Sequence, residues 1–172
     1  MHRLHLLRHA KSDQDAAIED HERPLNRRGR DTARRVGEAL PAALGTVDLV
    51  LCSTALRTRQ TAELALAGFA APPRILYEDA LYLADRAALL RRLRRLAEDS
   101  DAVLLIGHNP GLHELAITLA SPASPRHRAL AAGKFPTTAL ASFAIQSRWA
   151  AIERSRHPLV LYVTPKSLGK ED

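Results

Sequence analysis

Cysteine is nearly absent from this 172-residue chain, Cys52 being its only one. A lone thiol forms no internal disulfide and by itself no structural zinc site, which points to a reducing, cytoplasmic setting without a structural metal. Aromatic residues are scarce at 4%, and no recognised nucleic-acid-binding motif accompanies the basic charge, so nucleic acid is not expected as a partner. No apolar stretch approaches a membrane span. Charges interrupt every short apolar run of the N-terminal Met-His-Arg-Leu-His-Leu-Leu-Arg-His-Ala-Lys, so neither a signal peptide nor a membrane association is expected. Glycine-rich phosphate loops are missing too: there is no Gly-x-Gly-x-x-Gly, no Gly-Lys-Ser/Thr and no Gly-x-Ser-x-Gly. These absences remove the motifs for dinucleotide binding, nucleoside-triphosphate binding and a serine nucleophile elbow. Eight histidines are present, but His108 and His113 are five apart and match no zinc-ligand spacing. Neither a metal nor another cofactor is expected.

What the chain does have is an apolar fraction of 46% and 26% charged residues, the balance of a compact domain with a real core. One domain is expected over residues 1–168, with residues 169–172 as a frayed tail. Lys and Arg number 25 against 19 Asp and Glu, a formal charge of +6, and 21 of the 25 cations are Arg. Arg presents a planar fork of donors that matches phosphate oxygens. The excess is open to three readings: nucleic-acid binding, recognition of a phosphorylated molecule, or coding bias toward Arg and Ala.

Short strand-like runs alternate with longer helical ones, which predicts a layered α/β domain with a mostly parallel central sheet and helices on both faces. Strands are expected at His2–Arg8, Val47–Cys52, Arg74–Tyr77, Ala102–Gly107, Thr138–Gln146 and Leu159–Thr164. A first helix is expected from about Asn26 to Ala43. A second, capped by Ser53 or Thr54, runs to Gly68. A third follows Asp85 with Leu89, Leu93 and Leu96 as its buried stripe, and a fourth starts at Pro110 with Asn109 as its cap. The text from Ser121 reads as a Pro/Ser/Arg loop that returns to order near Phe135.

In open α/β sheets ligands bind beyond the carboxyl ends of strands. Arg8 and His9 close the first strand, Ser53 to Arg57 follow the second, and His108 with Asn109 follows Ala102–Gly107. With Thr54 as cap, Arg57 falls in the first turn of a helix, where the macrodipole favours an anion rather than a cation. A bound anion resolves that conflict, and His108 precedes a helix N-terminus, which also attracts phosphate. Taken singly, each residue is equally well explained as a strand end or a cap. Together they describe a pocket of two guanidinium forks and two imidazoles.

Leu7-Arg8-His9-Ala10, Arg23-Pro24-Leu25, the run from Ser53 to Ala62 and Gly107-His108-Asn109-Pro110 resemble the signature blocks of the histidine phosphatase superfamily (branch 1). Their order and spacing are similar to its small, cap-less members, the phosphohistidine phosphatases of the SixA type. The resemblance extends over nearly the whole chain, through Ala80-Leu81-Tyr82-Leu83 and Phe135-Pro136-Thr137-Thr138-Ala139. It implies a phosphoglycerate mutase-like three-layer sandwich. It further implies that His9 is a transiently phosphorylated nucleophile, that Arg8, Arg57 and His108 hold the phosphoryl oxygens, and that Arg23 adds a phosphate contact. Asp79 and Glu78 are the candidates for a general acid.

Nearby arginines should keep His9 unprotonated and stabilise the in-line transition state without a metal. If the acid is missing, easily departing leaving groups are favoured, and the imidazole of phosphohistidine is one. A phosphorylated protein is therefore the expected partner, with a small phosphoester as the alternative substrate and a phosphate-binding module with little turnover as the alternative class. The Arg-rich segment from Arg86 to Arg95 is either a solvated face or a contact for an acidic partner. A monomer is expected.

Overall fold

A computed structural model describes residues 1–168; the expected frayed tail at 169–172 lies outside them. Six strands form one sheet: β1 (His2–Arg8), β2 (Leu49–Ser53), β3 (Arg74–Glu78), β4 (Ala102–Gly107), β5 (Leu140–Ile145) and β6 (Leu159–Val163), in the order β3-β2-β4-β1-β5-β6. β1, β2, β3 and β4 pair in parallel, and β5 runs antiparallel to both β1 and β6. The central strand β4 has the uninterrupted apolar text Ala-Val-Leu-Leu-Ile-Gly and is buried along its whole length, as a strand covered on both faces must be.

Strand alternation sorts the core into two layers. On one face Leu4, Leu6, Leu51, Val103, Leu105, Ala141 and Phe143 meet α3 (Arg86–Leu93), α4 (Gly111–Leu119), α5 (His127–Ala132) and the 3-10 segment Trp149–Arg154. On the other face Leu7, Val50, Cys52, Leu104, Ile106 and Leu140 meet α1 (Arg27–Leu44) and α2 (Leu56–Leu66). A short α6 (Pro165–Leu168) closes the described chain. None of these helices is long and apolar enough to cross a membrane.

The caps of α1 and α3 follow local chemistry. The Asn26 side chain accepts from the Gly29 amide at 2.8 Å, and that of Asp85 from Ala88 at 2.7 Å, each satisfying a free donor of a first turn. Two glycines set the approach of these layers to the carboxyl end of the parallel strands. A Cβ at Gly29 would lie 2.0 Å from the Lys11 carbonyl oxygen, and one at Gly111 2.0 Å from that of Ala84. Only glycine lets α1 sit this close to the chain leaving β1, and α4 this close to the chain after Tyr82.

Four expectations need correction. The residue at the cap of α2 is Ala55, without a side-chain cap, because the Thr54 hydroxyl donates to Asp79 and Ser53 Oγ is engaged by His108. α4 begins at Gly111 with Pro110 at the cap, because Asn109 instead donates from Nδ2 to the Phe135 carbonyl at 2.8 Å. The loop expected from Ser121 to Phe135 contains α5, where Arg-Ala-Leu-Ala-Ala is a good helix former and Leu130 is fully buried in the core. α3 is also shorter than expected, and Leu96 joins the buried stripe from the turn beyond it.

Candidate active site

The carboxyl ends of β1, β2 and β4 converge, and they bring the sequence candidates together. His9 follows β1 with its amide bonded to the Gly107 carbonyl at 3.2 Å, so the last residue of β4 sets its height. Its Nδ1 lies 2.7 Å from the Ala10 carbonyl oxygen. A carbonyl only accepts, so Nδ1 carries the proton and Nε2 is left with a free lone pair. His9 is 7% exposed. Burial holds its pKa down at about 4, opposed by the Ala10 hydrogen bond and reinforced by Arg57, Arg8 and Arg23. The ring is therefore a neutral base at neutral pH.

His108, after β4, stands with its ring centroid 5.3 Å from that of His9. Its Nε2 is 2.7 Å from Ser53 Oγ, and Arg57 Nη2 approaches its Nδ1 at 3.4 Å. Guanidinium only donates, so Nδ1 is the acceptor and Nε2 donates to Ser53. The two imidazoles thus hold opposite tautomers. Burial, then His9 and Arg57, lower the His108 pKa to about 3.

Arg8 and Arg57 supply the forks. Arg8 donates from Nη1 to the Phe135 carbonyl at 3.0 Å. That carbonyl precedes a tight turn in which Thr138 adopts φ 60°, a costly conformation for a β-branched residue, held by its amide's bonds to the Arg8 and His9 carbonyls. Arg57 is 2% exposed although it lies in the first turn of α2. The Nε–H groups of both Arg8 and Arg57 are buried without a partner among the described residues. Two orphaned charged donors beside a free imidazole nitrogen form a receptor for an anion.

One group in this cluster escaped the sequence reading. Asp20, in the 3-10 turn Asp20–Glu22, accepts from Arg57 Nη2 at 3.1 Å and from Arg23 Nη2 at 2.8 Å, while its backbone carbonyl accepts from Arg57 Nη1 at 2.6 Å. The Tyr82 hydroxyl also donates to it. That bond, with Arg23 and Arg57, holds the Asp20 carboxyl well below the usual range, so it is a carboxylate. Part of the anion demanded by Arg57 at a helix start is thus intrachain. The available signal was the i, i+3 spacing of Asp20 and Arg23.

Arg23 directs its donors to Asp20, Ser12 Oγ and the Asp13 carbonyl. Tyr82, also missed, packs edge-on against His108 at 5.6 Å and lies beneath the Arg57 guanidinium at 5.9 Å. Of the two acid candidates, Glu78 is gripped by Arg92 at 2.8–3.0 Å. Asp79 accepts from Thr54 Oγ1 at 2.7 Å, and the same hydroxyl meets His21 Nε2 at 3.0 Å. His21 packs edge-on against Tyr82, which places Asp79 at the rim of the cluster.

Comparison with known proteins gives this arrangement a context. The family described as the histidine phosphatase superfamily (branch 1) matches residues 4–81. An uncharacterised protein of Mycobacterium tuberculosis (strain H37Rv) is 40% identical over 93% of this chain and 100% of its own length. Among solved structures, a protein from Nakamurella multipartitia, provisionally assigned as the phosphohistidine phosphatase SixA, is 30% identical with a TM-score of 0.82, covering 95% of this chain and 96% of its own. The protein histidine phosphatase SixA complexed with tungstate is 26% identical with a TM-score of 0.77, over 96% and 99% of the two chains.

Proposed function

Because the chain belongs to the histidine phosphatase superfamily (branch 1), we propose that it is a metal-independent phosphatase that removes the phosphoryl group from protein-bound phosphohistidine through a phospho-His9 intermediate. The observation that carries this reading is the pair of buried Nε–H groups that have no partner among the described residues, on Arg8 and Arg57, the two guanidinium groups whose charge acts on the neutral His9 ring with its free Nε2. A tetrahedral dianion satisfies both donors and presents phosphorus to the nitrogen.

In the first step His9 Nε2 attacks phosphorus in line, and the bond from phosphorus to the substrate imidazole breaks as that imidazole takes up a proton from water. Arg8 and Arg57 hold the equatorial oxygens, where the transition state concentrates charge, and His108 adds a donor only when its Nε2–H turns from Ser53 to the phosphoryl group. Water then attacks phospho-His9 and releases inorganic phosphate, restoring the free imidazole. Two easier transfers replace one difficult one. The neutral state of buried His9 supports the nucleophile role at physiological pH.

Substrate choice rests on the leaving group. With Glu78 gripped by Arg92, Asp79 is the remaining candidate acid, and it stands behind Thr54 at the rim. A departing imidazole needs less protonation help than an alkoxide, which favours phosphohistidine over an alkyl phosphate. Arg23 contributes its charge to the pocket while Asp20 holds it. The test is hydrolysis of a phosphohistidine protein, an aryl phosphate and a panel of alkyl phosphates side by side. His9→Ala should abolish turnover of all of them, and undiminished activity overturns the nucleophile. A preference for an alkyl phosphate overturns the substrate. Binding of phosphate by a wild-type protein that hydrolyses nothing overturns the enzyme in favour of a binding module.

A further inference from the structure

Beside the catalytic histidines runs a cleft of about 660 Å³ that none of the site residues lines. One wall is the face of α1 carrying Arg28, Thr32 and Arg35; these recur at i, i+4 and i+7, so the two arginines stand about 10 Å apart along the helix. The opposite wall is Lys134, the turn Pro136–Thr138, Tyr162 and the stretch Thr164–Lys166. Lys11, two residues beyond His9, closes the end nearest the catalytic cluster.

Among the described residues five cations line this cleft and no carboxylate does. Among the described residues none of Lys11, Arg28, Arg35, Lys134 and Lys166 takes part in an ion pair. The Arg-rich α3 and the turn after it differ in this respect, since Arg92 pairs with Glu78 and Arg94 with Glu153. Charge on α3 is partly answered within the chain, whereas charge in the cleft is not.

The distribution of these cations indicates their ligand. In the catalytic cluster the guanidinium groups of Arg8 and Arg57 are packed around two buried imidazoles and each keeps a buried Nε–H without a partner among the described residues, which suits one compact phosphoryl group. In the cleft, exposed charges from four separate chain segments are spread over some 10 Å, which suits a row of carboxylates better than one phosphate. About three to four residues of extended peptide span that length.

We propose that this cleft is a docking groove for an acidic segment of the phosphorylated protein, lying next to the phosphohistidine in the substrate. The proposal rests on the protein-phosphohistidine reading of the active site and adds where the carrier protein is recognised. Exposed charges act through a shared, salt-screened field, so the groove lowers KM for an acidic carrier and leaves the chemical step alone.

The test uses two synthetic phosphohistidine peptides, one flanked by four Glu residues and one by Ser and Gly, with an aryl phosphate as reference. At low salt the wild-type protein should show a KM about tenfold lower for the acidic peptide, with equal kcat. Arg35→Glu combined with Lys166→Glu should reduce that preference to within about twofold while aryl phosphate kcat/KM stays unchanged, and 0.5 M salt should reduce the preference of the wild type likewise. No preference in the wild type, or a preference that survives the charge reversal, overturns the groove. If only the aryl phosphate is turned over, the substrate reading fails separately. Fluorescence anisotropy with the unphosphorylated acidic peptide then decides the groove: about tenfold weaker binding by the double variant supports it, and equal or absent binding by both proteins overturns it.

Discussion

Replacing Asp20 by Asn tests how the active site balances its charge. The amide keeps the shape of the carboxylate and one acceptor oxygen, enough for either Arg57 on Oδ2 or Arg23 on Oδ1 but not both, and it removes the negative charge that lies 3.1 Å from one guanidinium and 2.8 Å from the other. A phosphoryl dianion seated on the free Nε–H groups of Arg8 and Arg57 would lie a few ångströms further from that carboxylate. At about 6 Å and an effective dielectric constant of about 20, one unit charge pair is worth about 3 kcal/mol. Asp20 is 47% exposed, and solvent screening reduces this to about 1 kcal/mol. Asp20→Asn should therefore tighten competitive inhibition by inorganic phosphate about fivefold, measured against aryl phosphate hydrolysis at pH 7.5, with little change in thermal stability. Weaker phosphate binding would refute the reasoning. It would mean that the carboxylate serves chiefly to hold Arg57 in place, and that its repulsion of the ligand is minor.

Two further outcomes follow from buried polar groups. Ser53→Ala leaves the buried Nε2–H of His108 without its 2.7 Å partner; aryl phosphate kcat/KM should fall about tenfold and denaturant unfolding should show a loss of about 1 kcal/mol, and unchanged values in both would remove Ser53 as the group fixing the tautomer. His5 is buried at 3% exposure against Ser142, and burial, with Arg3, lowers its pKa to about 4 from 6.5. Between these values the unfolded chain takes up a proton that the folded one refuses, so stability present above pH 6.5 is lost as pH falls toward 4, by about 3 kcal/mol for this residue. Chemical denaturation at pH 7 and pH 4.5 should show a smaller loss for His5→Gln than for the wild type, and an equal loss would exclude His5 as a source of acid sensitivity.

How much of this was readable in advance depended on whether one residue's environment came from its own segment. β4 was legible to the residue because a fully buried strand has no choice but apolar text, β1 through its Leu4, Leu6 and Leu7 despite the buried His2 and His5, and α1 through Asn26 and its apolar spacing. Arg57 was legible as a conflict, a cation at a helix start. Its resolution was not, because Asp20 arrives from a three-residue turn whose position depends on the Arg23 contacts with Ser12 and Asp13. Tyr82 was hidden for a similar reason: its place over His108 follows from the close approach of α4 to Ala84, which only the packed structure creates. α5 was missed because the Pro and Ser residues before it outweighed a short helical run whose burial rests on Leu130 alone.

The charge of the cluster bears on turnover as well as binding. With His9 and His108 neutral, the three guanidinium groups of Arg8, Arg23 and Arg57 less the one carboxylate of Asp20 leave two positive charges. A phosphoryl dianion neutralises them. A site with three unopposed cations would bind substrate more tightly, but it would bind inorganic phosphate more tightly as well. Uniform gains of that kind lower KM without accelerating chemistry and slow release of the product. Asp20 therefore favours turnover over retention, which makes stronger product inhibition in Asp20→Asn the expected signature of its role.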